Sequence, residues 1–135
     1  MQINHRRSGT VRGDSHFSGE VWIDHLVRPG EDTTLSVQSV YFSPAARTSW
    51  HQHPEGQIIY VVAGSGRIQQ RGGSVRTIRA GDTVVTPPGE WHWHGAGAES
   101  AMTMIAIQGT DGDGAVVRWG EPVTELGIPG LMDRP

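Results

Sequence analysis

An all-β fold in a single domain, a sandwich or closed barrel of short strands, is predicted by three observations. Nineteen glycines and eight prolines break the chain into short apolar segments. No window carries the i, i+3, i+4, i+7 apolar repeat of a long helix. The segments recur at regular spacing with turn residues between them, as strands of a sandwich or barrel do. With 135 residues there is room for one hydrophobic core and not for a second.

Taken in order, residues 1–17 are polar and irregular and are expected as an arm on the domain or on a partner subunit. Residues 18–120 form the barrel, and residues 121–135 a C-terminal tail. Glu20 to Val27 reads as a first strand stopped by Pro29-Gly30, and Thr34 to Phe42 as a second stopped by Ser43-Pro44. Ala45 to His53 leads into a third. Gln57 to Val62 is expected to end in a turn at Gly64-Ser65-Gly66, followed by Arg67 to Gln70 and a turn at Gly72-Gly73. Ser74 to Arg79 alternates cleanly, so its polar side meets water. Thr83 to Thr86, Trp91 to His94, Ala101 to Gln108 and Ala115 to Trp119 complete the set. Asp111-Gly112-Asp113-Gly114 is a tight turn, too short and too poor in ligands to be a calcium loop.

Composition removes several classes of function. The formal net charge is -3 and the pI about 6.1, so no basic field draws in nucleic acid. There are no cysteines, which excludes thiolate ligands, catalytic thiols and disulfides together. All eleven basic residues are arginine, which excludes an internal lysine Schiff base. No apolar core follows the positive start Met1 to Arg7, and no run approaches membrane-spanning length. A cytoplasmic protein with no membrane partner is expected.

Chemistry concentrates in two stretches. In Trp50-His51-Gln52-His53-Pro54-Glu55-Gly56-Gln57 the two histidines share a strand face, about 6.6 Å apart along the chain. Pro54-Glu55-Gly56 is a turn by composition, after which Gln57 can swing back toward the same point. Glu55 is the rival, since it shares the parity of His51 and His53, although Pro54 and Gly56 should turn it outward. In Trp91-His92-Trp93-His94 the histidines again alternate, with both tryptophans on the opposite face, suited to sheet packing or a dimer surface. Two His-x-His pairs form a nitrogen-rich cluster of the kind divalent transition metals select. His5, His16 and His25 have no partner by sequence and are expected at the surface.

The two stretches together resemble the motifs of the cupins, a family of double-sheet β-barrels with a metal in the mouth. His51, His53 and Gly64 match the first motif, with Gln57 where the family usually has glutamate. Gly81, Pro87, Gly89 and His92 match the second. The resemblance spans about residues 18–120 and implies metal ligands His51, His53, Gln57 and His92. Within the family the chain is similar to small bacterial manganese cupins acting as hydroxynitrile lyases. The shared text is Ala46-Arg47-Thr48 to His53, Pro54-x-Gly56-Gln57, Pro88-Gly89-Glu90-x-His92-Trp93-His94-Gly95 and Ala101-Met102-Thr103. Those enzymes carry a further pocket histidine where this chain has Met104.

One divalent transition metal per chain is therefore expected, manganese first, with iron, nickel, zinc or cobalt as alternatives. A neutral Gln57 leaves such an ion with a charge of about +2, against about +1 with Glu, a stronger Lewis acid. His94 enters the same cavity as His92, as a proton acceptor or as pocket wall. By the same resemblance Met102, Met104 and Gln108 on one strand, Gln38 and Val40 on another, and Thr48 line the pocket. The expected function is a metal-dependent lyase or isomerase acting on a small hydroxyl or carbonyl compound. A dioxygenase and a non-catalytic binding protein are the alternatives. The apolar alternate face of Gln57 to Val62 suggests a homodimer or a second sheet packed on it.

Overall fold

In this computed structural model residues 1–5 and 9–124 are described, and among them there are twelve strands and no helix. The strands are β1 (Val11–Arg12), β2 (Phe17–Ser18), β3 (Val21–Val27), β4 (Leu35–Phe42), β5 (Arg47–Thr48) and β6 (His51–Gln52). They continue as β7 (Gln57–Gln70), β8 (Arg76–Arg79), β9 (Thr83–Thr86), β10 (His92–Ala96), β11 (Met102–Gly109) and β12 (Arg118–Trp119). All pairings are antiparallel. One sheet runs β1-β3-β4-β11-β7-β9. The other joins β8, the second half of β7, β10, β5 with β2, and β6 with β12.

The long strand β7 is what joins the two sheets. A turn is expected at Gly64–Gly66, yet the chain runs straight through, and the glycines let it bend between sheets instead. Gly64 has φ 77°, and a Cβ on it would run into the Ala101 carbonyl. A Cβ on Gly66 would meet the Gly95 carbonyl and the Met102 sulfur. The pairing with β11 also slips between Thr103 and Met104, a bulge that increases local twist where the sheet curls. Two other expectations shift. Residues 11–12 and 17–18 pair with β3 and β5, where an irregular stretch is expected. The strand expected from Ala115 shrinks to Arg118–Trp119, because the Val116 carbonyl bonds His53 and not a neighbouring strand.

Alternation along each strand turns one face inward. Val21, Val40, Phe42, Ile59, Val61, Met102, Met104 and Ala106 from the first sheet meet Ala46, Ile68, Ile78 and Ala96 from the second. Each large side chain so buried contributes about 1.5–3 kcal/mol. Further along the same inner face the residues become polar. Ser36, Gln108 and Gln57 are cross-strand partners on β4, β11 and β7 and all three are buried. The barrel is therefore apolar at one end and polar at the other, and the polar end is where His51 and His53 lie.

Residues 119–123 close over the second sheet. The Gly120 N–H donates to the Trp50 carbonyl and the Trp50 N–H to the Glu121 carbonyl, and Arg47 donates to the Val123 carbonyl. Val123 covers Trp93, whose indole N–H donates to Gln69 Oε1 at 2.7 Å. The face of Trp93 is thus buried by its own chain, where a sheet-packing or dimer surface is expected. Residues 125–135 of the expected tail lie outside the described residues. On the first sheet the outward side chains Trp22, Leu35, Tyr41, Ile58, Tyr60, Val62 and Val85 are exposed. No helix among the described residues is long and apolar enough to cross a membrane.

Candidate metal centre

His51 lies on β6 directly opposite His92 on β10, so the two sequence stretches meet as neighbouring strands. His53 follows β6 into the turn at Pro54-Glu55-Gly56, closed by the Gly56 N–H donating to the His53 carbonyl at 3.0 Å. Gly56 takes φ 83°, and a Cβ there would stand 2.9 Å from the Thr86 carbonyl. The turn leaves Glu55 exposed and returns Gln57 to the interior. His51, His53, His92 and His94 are all buried.

The ligand atoms of His51, His53 and His92 lie within 4.8 Å of one another. In each ring Nδ1 faces a backbone carbonyl: Ser49 at 2.9 Å, Val116 at 2.7 Å and Glu90 at 2.9 Å respectively. A carbonyl only accepts, so Nδ1 carries the proton and Nε2 keeps a free lone pair, the arrangement that orients imidazole toward a metal. His53 Nε2 is buried without a partner among the described residues. His92 Nε2 faces Gln57 Oε1 at 3.1 Å, so two lone pairs point at each other, a contact that a cation relieves. Three imidazole nitrogens and a carboxamide oxygen fit a divalent transition metal.

The electrostatics keep these rings neutral. Burial, then the neighbouring His92 and His53, hold His51 well below the usual imidazole value. Burial pushes His53 down to about 4. Burial also lowers His92, against the opposing hydrogen bond to Glu90. His94 is held well below 6.5 by burial and by His51, His92 and His53. A cluster of neutral lone pairs without a counter-anion is the form a cation binds.

His94 stands next to this cluster, its ring centroid 5.0 Å from that of His51 and 5.7 Å from that of His92. Its backbone N–H donates to Thr48 Oγ1 at 3.2 Å and its ring meets Phe42 edge-on. Neither ring nitrogen has a partner among the described residues. His94 borders a cavity of about 260 Å³, together with His51, His53, Gln57, Gln38, Val40, Thr48, Met104, Ala106 and Gln108. Met102 is not on that wall. It packs at the closed end beside Phe42 and Gly66, where the β7 bend brings the two sheets close.

Several wall residues escape the sequence reading, among them Val11, Arg12, Asp14, Phe17, Ile23 and Trp119, and a further one is a histidine. His25, expected at the surface, lines the cavity from β3, with Gln38 Nε2 3.5 Å from its Nδ1. Burial and then Arg28 lower its pKa. The signal available was parity, since His25 lies two residues after Ile23 and four after the buried Val21. His16 is also engaged, stacked on Trp119 at 4.4 Å, and Trp119 in turn lies 4.9 Å from the His51 ring. His5 is exposed.

A double-sheet barrel with a small cavity at its polar end thus carries three inward histidines that could hold a metal ion. The cupin domain matches residues 38–108, and the chain belongs to the cupin family. An (R)-mandelonitrile lyase from Granulicella tundricola is 48% identical over 109 residues, 81% of this chain and 82% of that protein. A gentisate 1,2-dioxygenase from Aquipseudomonas alcaligenes is 36% identical over 61 residues, 45% of this chain and 17% of that protein. The crystal structure of a cupin-like protein from Thermotoga maritima superposes with a TM-score of 0.80 at 36% identity, covering 96% of this chain and 99% of that one.

Proposed function

We propose that the protein is a metal-dependent hydroxynitrile lyase, splitting a small cyanohydrin into an aldehyde or ketone and hydrogen cyanide. The observation that carries this reading is His94, a buried, neutral imidazole with both nitrogens unpartnered among the described residues, beside three converging histidines. The mandelonitrile lyase likeness over most of the chain supports it. His51, His53, His92 and Gln57 would hold the ion, manganese first and iron, nickel, zinc or cobalt in its place. A divalent ion there supplies Lewis acidity to a hydroxyl oxygen.

The chain's own residues do the rest. His94 accepts the substrate hydroxyl proton on the ring nitrogen that faces the cavity. The bond between the carbinol carbon and the nitrile carbon breaks, its electron pair leaving with cyanide. The imidazolium then returns its proton to cyanide, so no oxidant or reductant is consumed. Val40, Phe42, Met104 and Ala106 form an apolar wall for the substrate's side group. A cavity of about 150 Å³ binds benzene, so about 260 Å³ holds an aromatic ring and a two-carbon substituent. The outward Ile58, Tyr60, Val62 and Val85 form the face on which a homodimer would assemble, and Ile58→Asp should then shift the sedimentation coefficient to that of a monomer. A dimer retained in that variant rejects the face.

The second reading, a dioxygenase, has one observation in its favour, the partial likeness to a gentisate dioxygenase. Cyanide release from mandelonitrile, at matched manganese occupancy and with oxygen uptake recorded in parallel, separates the two. Wild type should release cyanide, and His94→Ala should lose a factor of about 10²–10⁴, the usual worth of a positioned base. Met104→His, nearly equal in length and costing less than about 1.5 kcal/mol in packing where the new imidazole finds a hydrogen-bond partner, should raise the rate by adding a second proton-transfer group. Absence of cyanide from every variant, with metal-dependent oxygen uptake on a phenolic substrate, would sink the lyase reading.

A further inference from the structure

We propose that Gln108 is a positioning residue for the metal centre: through a directed chain of carboxamide hydrogen bonds it turns the oxygen of Gln57, and not the nitrogen, toward the histidines. The proposal rests on Gln57 being a ligand, as read above.

The two ends of a carboxamide have almost the same shape, but only the oxygen offers a lone pair to a cation. A Gln ligand therefore needs something that tells its ends apart. Gln57 Nε2 donates to Gln108 Oε1 at 3.1 Å, which sends Gln57 Oε1 to the His92 side. Gln108 is itself a carboxamide and needs a reference of its own. Its Nε2 lies 3.1 Å from Ser36 Oγ, 3.5 Å from the Ser36 carbonyl oxygen and 3.4 Å from Gln38 Oε1. A backbone carbonyl cannot donate, so the NH₂ of Gln108 belongs on that side and its oxygen is committed to Gln57.

Register makes the chain continuous. Ser36, Gln108 and Gln57 are direct partners across β4, β11 and β7, so the donors and acceptors lie along one row of the sheet. All three are at most 5% exposed, so a lost partner leaves a largely buried polar group unsatisfied. Turning Gln57 over would set its oxygen against that of Gln108, two acceptors without a proton between them. Without the Gln108 oxygen, the Gln57 NH₂ is free to settle on the His92 Nε2 lone pair, which a metal must then displace.

The test is the dissociation constant for Mn²⁺, measured on metal-free protein by competition with a chromophoric chelator, with circular dichroism to check folding. Outer ligand-orienting partners are typically worth about 10–100-fold in metal affinity, and Gln108→Met should lose at least about ten-fold. Gln108→Glu keeps an acceptor for Gln57 Nε2 and should bind as tightly as wild type or more so. A role in packing alone gives the reverse order, since Met fills the space and a buried carboxylate does not. In the Gln57→Glu background both terminal atoms are oxygens, and Gln108→Met should change affinity by no more than about two-fold. An equal loss in both backgrounds, or no loss with Gln57 intact, overturns the proposal. If Gln108→Met does not fold, a ten-fold or greater loss in Gln108→Glu overturns it. Unchanged affinity in Gln57→Leu alone overturns instead the reading of Gln57 as ligand.

Discussion

Acidifying the metal-free protein should cost it stability steeply and in a defined window. Burial brings His53 down to about 4 from 6.5, so between these values the unfolded chain binds a proton that the folded chain refuses. Stability rises with pH wherever the unfolded state binds more protons. The contribution is therefore complete above pH 6.5 and is lost as pH falls toward 4. At about 1.36 kcal/mol per pH unit, His53 alone accounts for about 3 kcal/mol over the whole window. His51, His92 and His94 are lowered in the same direction and add to it. Domains of this size have about 5–15 kcal/mol in all, so a large share of the total is at stake. Urea midpoints in the presence of a chelator, taken from about pH 7.5 to 4.5, measure it directly. A midpoint that stays level between pH 7 and 5 would refute the premise that these rings are buried and neutral. In the metal-loaded protein the same protons compete with the ion, so metal should be released as pH falls through about 6 to 5.

His51→Ala or His92→Ala should remove most bound metal, whereas Glu55→Ala should leave it near wild type, because the turn holds Glu55 exposed. Metal analysis of untagged protein decides it, and an empty site in Glu55→Ala with a full one in Gln57→Ala would reverse the assignment. Gly95→Ala should destabilise by at least about 1–3 kcal/mol, because its Cβ would stand 2.6 Å from Arg47 Cα and against the Ala46 carbonyl. A thermal midpoint equal to wild type's would show that β5 and β10 separate more readily than their packing implies.

Much of the fold is written locally. Glycine and proline punctuation marks the strand boundaries from Val21 to Phe42 within a residue or two, and parity puts both His-x-His pairs on inward faces. The partners of His51 and His92 are local as well, each ring bonding the carbonyl two residues before it. The partner of His53 is not, since Val116 lies 63 residues away in a segment that reads as plain strand. Gly64–Gly66 shows the same limit, because a glycine pair permits a turn and a bend equally. What decides between them is Ala101 and Gly95 pressing on the backbone from other strands. His25 reads as a surface group because no second histidine lies near it in the chain; its parity with Val21 and Ile23 is the local hint, and the pairing of β3 with β4, which sets it opposite Gln38, brings it to the cavity. The row Ser36, Gln108, Gln57 exists only in the register of three strands.

On the proposed function, a metal held by the three histidines makes cyanohydrin cleavage possible. The most direct measurement is the rate of cyanide release from mandelonitrile as manganese is added stepwise to metal-free protein. No release above the spontaneous rate is expected without metal, then a linear rise and a break at about one ion per chain, the capacity of a single donor set of this kind. Release at the full rate from metal-free protein, or none at full occupancy, would contradict it.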